Sequence, residues 1–208
     1  MSHGPHLSPH PLPLGSTAPA RKSDERDPSS ELAAEFPGLE LSLLPAEELP
    51  EPYRSLLAHE QDMTSTLGRF HAESLVLEVL SQTREAGLLH RTVLLVGASS
   101  GLPRELGAIA IHLERFAAAP RQEILACRKP LGAILGEHRI PYRSRPEGFL
   151  ALQSTPNMRA ALRLGDVPGL LYGRRNALRT PAGDLLADVL EILPAVREDP
   201  AGEGPPAL

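Results

Sequence analysis

Between Leu75 and Leu113 the chain runs through three blocks rich in Leu, Val and Ile, separated by the turn-forming stretches Glu85-Ala86-Gly87 and Ser99-Ser100-Gly101-Leu102-Pro103. The pattern predicts three consecutive strands in an antiparallel meander. Side chains alternate along a strand, so Arg91 falls on one face with Leu89, Val93 and Leu95, and His90 on the other. A guanidinium stays charged at physiological pH, so on an apolar face it must hold a carboxylate, internal or external. A further block from Leu171 to Pro194 predicts two more strands, turning at Thr180-Pro181-Ala182-Gly183-Asp184, where Gly183 supplies a permissive backbone. Its first half brings Arg174, Arg175 and Arg179 together, and its second is apolar except for Asp188 and Glu191. With no bulge, Glu191 shares a face with Val189 and Leu193, where a carboxylate is costly unless paired.

Helical signals fill the remainder. Leucines return between Leu39 and His59, but Pro45, Pro50 and Pro52 prevent one long helix and leave a short one over about 51–59. Asp62 can cap a helix starting near Met63, with Met63, Leu67 and Phe70 turned inward and Thr64 at the helix mouth. A helix is expected near 120–127, then a break at Lys129-Pro130 and a second helix opening around Leu131. The free N–H groups of such an opening favour anions, and Gly132 would let a ligand approach the backbone. A strand over about 147–153 and a short helix capped near Thr155 or Asn157 follow. Strands outnumber helices and neighbour one another as hairpins, which places the fold in the α+β class, with a single antiparallel sheet and helices packed around it.

Composition narrows the function. A chain of 208 residues, 41% hydrophobic, can bury one sizeable core. Residues 1–30, dense in Pro, Ser and His, and residues 197–208, charged and rich in Pro and Gly, are expected to be disordered tails around one domain over 39–196. His3, His6 and His10 lie in the first tail and are given no role. A net charge of -5 without a long Lys/Arg block argues against nucleic acid as a partner. The single cysteine, Cys127, removes a disulfide framework and a Cys-rich zinc site, and fits a cytoplasmic location. No export signal is read at the N-terminus, and no run approaches the roughly 18 apolar residues of a membrane span. Walker, dinucleotide, HExxH and GxSxG motifs are missing, which removes the commonest nucleotide and hydrolase readings.

Taken in order, Asp62-Met63-Thr64, Arg91 on a strand, Lys129-Pro130-Leu131-Gly132 and Tyr172-Gly173-Arg174-Arg175-Asn176-Ala177-Leu178-Arg179 followed by Leu190-Glu191-Ile192-Leu193-Pro194 resemble the chorismate pyruvate-lyase family, closest to its divergent mycobacterial-type branch. The resemblance spans about residues 50–195. It implies a small pocket enclosed by sheet and helices, and elimination of pyruvate from chorismate to give 4-hydroxybenzoate, without metal or organic cofactor. It also implies that Arg91 holds a substrate carboxylate, that the backbone at Met63 and Leu131 meets the ring acid or its hydroxyl, and that Glu191 is the acid–base residue. Thr64 and Gly132 would flank those contacts, and Arg174 and Arg175 match the family's paired arginines, as substrate contacts or as structural charges. The chain departs from the pattern in two places. Relatives carry an arginine on the strand after the Ser99–Pro103 turn, where Ala108 and Ala110 stand here, and the ubiquinone-pathway lyases place their glutamate one residue earlier, at Leu190. Asp188 is therefore a second candidate for the acid. A carboxyl desolvated among apolar side chains has a raised pKa and can deliver a proton near neutrality. The reading from a different class is a non-catalytic module binding an aromatic or cyclic carboxylate, as in the effector-binding domains of some bacterial transcription regulators, which share this fold type.

Overall fold

The computed structural model describes residues 28–195. The three N-terminal histidines, most of the first expected tail and all of the second lie outside the described residues.

The meander forms as its alternation predicts, with β2 at Leu75–Glu85, β3 at Leu88–Gly97 and β4 at Pro103–His112. Ala86 and Gly87 both adopt positive φ between β2 and β3, as a two-residue hairpin turn requires. The last hairpin is β6 at Leu170–Arg179 and β7 at Leu185–Leu193. Its turn is closed by the Thr180 and Gly183 N–H groups, which donate to the carbonyls of Asp184 and Thr180. Strand β5, Arg143–Gln153, pairs with β6 and starts earlier than expected, because Pro146 sits at a register shift instead of ending the strand. A short edge strand β1, Leu41–Leu44, completes one antiparallel sheet in the order β1-β5-β6-β7-β4-β3-β2.

Helices cover both faces. On one side lie α2 (Tyr53–Leu57), α3 (Met63–Phe70), α4 (Ala118–Ala126) and α5 (Leu131–Glu137). They build two separate apolar clusters: Tyr53, Leu57, Met63 and Leu67 against Leu95 and Leu193, and Ile124, Leu131, Ile134 and Leu135 against Leu89, Ile111 and Ala187. On the other side, α1 (Pro28–Glu35) and α6 (Pro156–Leu162) pack Leu32, Phe36, Met158 and Leu162 onto Leu94, Leu106, Ala108, Leu171 and Ile192. Helix α1 lies ahead of Leu39, where the domain was expected to open. Its sequence, PSSELAAE, offers one strong anchor, Leu32, which is fully buried. The caps hold as expected: the Asp62 carboxylate accepts from the Ser65 N–H at 2.8 Å, and the Thr155 hydroxyl accepts from the Met158 N–H. Phe70 departs from its expected inward position. It lies in the last turn of α3, is 44% exposed and stacks edge-on against His71.

Candidate functional site

The gap between the two apolar clusters on the α2–α5 side is a cavity. Its volume is about 80 Å³. The floor is the sheet face carrying Arg91, Val93 and Leu95 of β3, Glu105, Gly107 and Ile109 of β4, and Val189 and Glu191 of β7. Two helix openings stand at the rim: Asp62, Met63 and Thr64 before and within α3, and Pro130, Leu131 and Gly132 at α5. They meet closely, since a Cβ added to Gly132 would touch the Asp62 side chain at 3.7 Å. Gly107 sits in the middle of the floor, where a Cβ would come within 3.1 Å of Glu105 Oε1 and 3.3 Å of Val93 Cγ2. The Glu105 and Val93 side chains lean over it, and a side chain there would crowd both.

Arg91 is the one positive charge among the described residues lining the cavity. It is 3% exposed, its Nε is sealed without a hydrogen-bond partner, and its Nη1 donates only to Cys127 Sγ, at 3.7 Å. Burial presses its ionisation downward, partly offset by that thiol. The thiol is itself held, its one proton directed to Gln82 Oε1 of β2, with the Ile124 carbonyl as the other acceptor in reach. A buried guanidinium without a carboxylate is a costly arrangement that an anionic ligand would relieve.

Glu191 faces the same cavity, not bonded to Arg91. By the ladder register they stand two strands and two residues apart, roughly 12 Å between Cα atoms. Glu191 is not the solitary carboxyl that the apolar pattern implied. Arg174 lies directly opposite it across the hairpin and donates to its Oε2 through Nε. Arg174 is fully buried, and its Nη1 also donates to the carbonyls of Leu57 at 3.0 Å and His59 at 2.8 Å. It thus ties β6 to the segment between α2 and α3, and it is outside the cavity lining. Arg175 and Asp188 lie on the reverse face and pair with each other, with Arg175 Nη2 to Asp188 Oδ2 at 2.6 Å. Strand alternation turns them away from Glu191, so Asp188 is not an acid of this cavity and Arg175 does not reach it. Ala108 also faces away, into the core under α1.

Sequence reasoning missed Glu105, Tyr142, Ser144 and Asn176, all of which line the cavity. Glu105 is 4% exposed, and its Oε2 is sealed from solvent without a hydrogen-bond partner. Burial first, and then the charge of Glu191, raise its carboxyl well above the ordinary range, with Arg174 pulling the other way. Glu105 is thus a second buried carboxyl in the cavity, beside Glu191. A signal was present, since Glu105 keeps a two-residue phase with Gly107, Ile109 and Ile111. Asn176 Nδ2 donates to Ser144 Oγ at 2.9 Å, a buried polar pair on the cavity wall. Tyr142 has its phenol raised by burial and by the nearby charge of Asp62. Among the described residues no group of three or more His, Cys, Asp and Glu side chains could hold a metal ion, and no helix is long and apolar enough to cross a membrane.

No protein-family model and no curated protein matches the sequence. Solved structures do match by shape. PhnF from Mycobacterium smegmatis superposes with a TM-score of 0.51 at 10% identity, over 65% of this chain and 64% of that one. The gene product SA0254 from Staphylococcus aureus subsp. aureus N315 gives 0.50 at 9% identity, over 66% and 90% of the two chains. The likeness bears out the expected α+β fold, one antiparallel sheet with helices packed around it. The ligand-binding domain of a Bordetella bronchiseptica protein assigned to the GntR family of transcriptional regulators is also similar, at a TM-score of 0.43 and 13% identity over 58% of this chain and 83% of that one. At these identities the likeness shows the fold alone, and function must be argued from the cavity.

Proposed function

We propose that the chain binds a small carboxylic acid in the cavity between α3 and α5, with Arg91 gripping the acid group. The observation that carries this reading is the buried guanidinium, which has no carboxylate partner and sits in a hollow sized for one ring. Two charge-assisted bonds from Arg91 would contribute about 1.5–3 kcal/mol each in such a sheltered place. Met63 and Leu131 would offer backbone N–H groups at the rim, with Thr64 and Gly132 beside them, and the Ser144–Asn176 pair gives the wall a polar patch. Arg174 acts through Glu191 and the segment before α3, as a strut. Isothermal titration with ring carboxylates tests the reading: Arg91→Met should abolish binding while raising the stability of the ligand-free protein, because it removes an unpaired buried charge. A structural role for Arg91 predicts the opposite stability change, and that result would overturn the proposal.

The second reading is the pyruvate-eliminating cleavage of chorismate, favoured by one observation. Arg91 and an acidic pair, Glu105 and Glu191, converge on one cavity, and a carboxyl that burial pushes above its ordinary range, like Glu105, is suited to deliver a proton. Against it, chorismate is a dianion and the cavity offers, among the described residues, one free cation. Incubation with chorismate separates the two. Stoichiometric pyruvate release would establish the lyase, and saturable binding without pyruvate the binding module.

A further inference from the structure

Glu105 has no counterpart in the resemblance, and among the described residues its Oε2 finds no hydrogen-bond partner. On β3 it faces Leu95, and the nearest helical cover is the apolar cluster of Met63 and Leu67. The cation closest to it, Arg174, is committed to Glu191 and to the carbonyls of Leu57 and His59. Glu105 and Arg91 stand at opposite ends of the cavity floor. The register pairs Arg91 with Ile109 and Leu95 with Glu105, which puts their Cα atoms roughly 14 Å apart, one strand across and four residues along. Between them lie Val93 and Gly107, both of which line the cavity, and the Glu105 carboxyl leans over Gly107, with its Oε1 3.1 Å from where a Cβ would stand there. A single ring with substituents at opposite ends bridges the tips of two side chains leaning over such a floor.

Resting on the reading of the cavity as a carboxylate site, we infer that Glu105 sets ligand charge: the site takes a monocarboxylate whose far end is an uncharged hydrogen-bond acceptor and rejects a second carboxylate. The acid group goes to Arg91. At the other end the Glu105 carboxyl donates its proton in a hydrogen bond to the ligand's oxygen. Burial and the neighbouring charge of Glu191 keep that proton in place, while Arg174 opposes them less strongly. A second ligand carboxylate would arrive beside Glu105 and Glu191 with no uncommitted cation to meet it, and unscreened like charges in a sheltered site repel strongly. An ammonium at that end would instead require Glu105 to ionise.

Three ring acids of similar size separate these cases: 4-acetylbenzoate, terephthalate and 4-(aminomethyl)benzoate, titrated calorimetrically into the wild-type chain at pH 7. The neutral-ended acid should bind about tenfold or more tightly than the other two, the loss expected for one unpaired or repelling group in a buried site. Glu105→Gln, which still carries a donor, should keep 4-acetylbenzoate within about threefold, and Glu105→Leu should weaken it about tenfold. Equal or tighter binding of terephthalate or of 4-(aminomethyl)benzoate overturns this inference and leaves the carboxylate reading standing. No binding of any of the three overturns both. The wild-type ranking decides the matter even if a variant fails to fold.

Discussion

Removing Arg174 tests the claim that the Glu191 carboxylate is held by the fold. Arg174→Met keeps much of the volume of a side chain that is fully buried, and it takes away the guanidinium that donates to Glu191 and to the Leu57 and His59 carbonyls. Stranding one member of a buried ion pair costs about 3–5 kcal/mol. Two carbonyls left without their donor add on the order of 1 kcal/mol each. The sum, about 5–7 kcal/mol, is a large share of the ~5–15 kcal/mol that stabilises an ordinary domain. The double variant Arg174→Met/Glu191→Leu removes both charges, and replacing a whole buried pair by apolar groups is neutral or stabilising. It should therefore regain about 3 kcal/mol or more over Arg174→Met, leaving only the cost of the carbonyls. Equilibrium urea unfolding of the four proteins closes this cycle. A double variant no more stable than Arg174→Met would show that Glu191 does not depend on Arg174, and the separation of a paired glutamate from an unpaired one, Glu105, would fail.

The raised carboxyl of Glu105 makes a pH prediction. The folded state keeps the proton after the unfolded chain has lost it, so this group's contribution to stability is fully present below the ordinary value of 4.5 and is lost as pH climbs from there toward the raised folded value. The slope in that window is about 1.4 kcal/mol per pH unit, and Glu105→Gln should lack it; parallel stability–pH curves for the two proteins would refute this. Leu32→Ala should cost about 2–5 kcal/mol in urea unfolding if α1 is part of the core, and a loss under about 1 kcal/mol would show that the helix is only loosely applied.

Much of the architecture was legible because it rests on local signals. Two-residue alternation located β2, β3, β4, β6 and β7, Asp62 and Thr155 announced their helices, and Pro130 placed the start of α5. The same alternation put Arg91 and Glu191 on apolar faces. What escaped was information carried by irregularities. Counting back from the pair Arg179–Leu185 without a bulge would set Gly173 opposite Glu191, and the register shift between Leu178 and Arg179 is what brings Arg174 there instead. The Glu191–Arg174 pair could not be read from spacing for that reason. Ser144 was missed because Pro146 argued for a loop where the strand bulges and continues. Glu105 was passed over because it stands two residues after Pro103, where charged residues at a strand entrance are ordinary. Helix α1 is short and mostly polar and strand β1 is only four residues long, and only their packing on a sheet built by later residues makes them regular.

The contrast between the two buried arginines separates fold from function. Arg174 has a cross-strand carboxylate and two carbonyls, so its charge is satisfied within the chain and its burial can be explained by architecture alone. Arg91 lies against Ile109 and Gln82 in the ladder, and its neighbours answer it with a single thiol. A mere packing defect would be lined with apolar atoms and would leave no polar group in need. This hollow is lined at one end by an unanswered cation, at the other by an unanswered carboxyl, and along one wall by the Ser144–Asn176 pair. Each of the two end groups carries a cost that the fold does not recover internally, and the two needs are complementary to those of one molecule, an acid with an acceptor at its far end. That complementarity argues for a ligand more strongly than the shape of the cavity does.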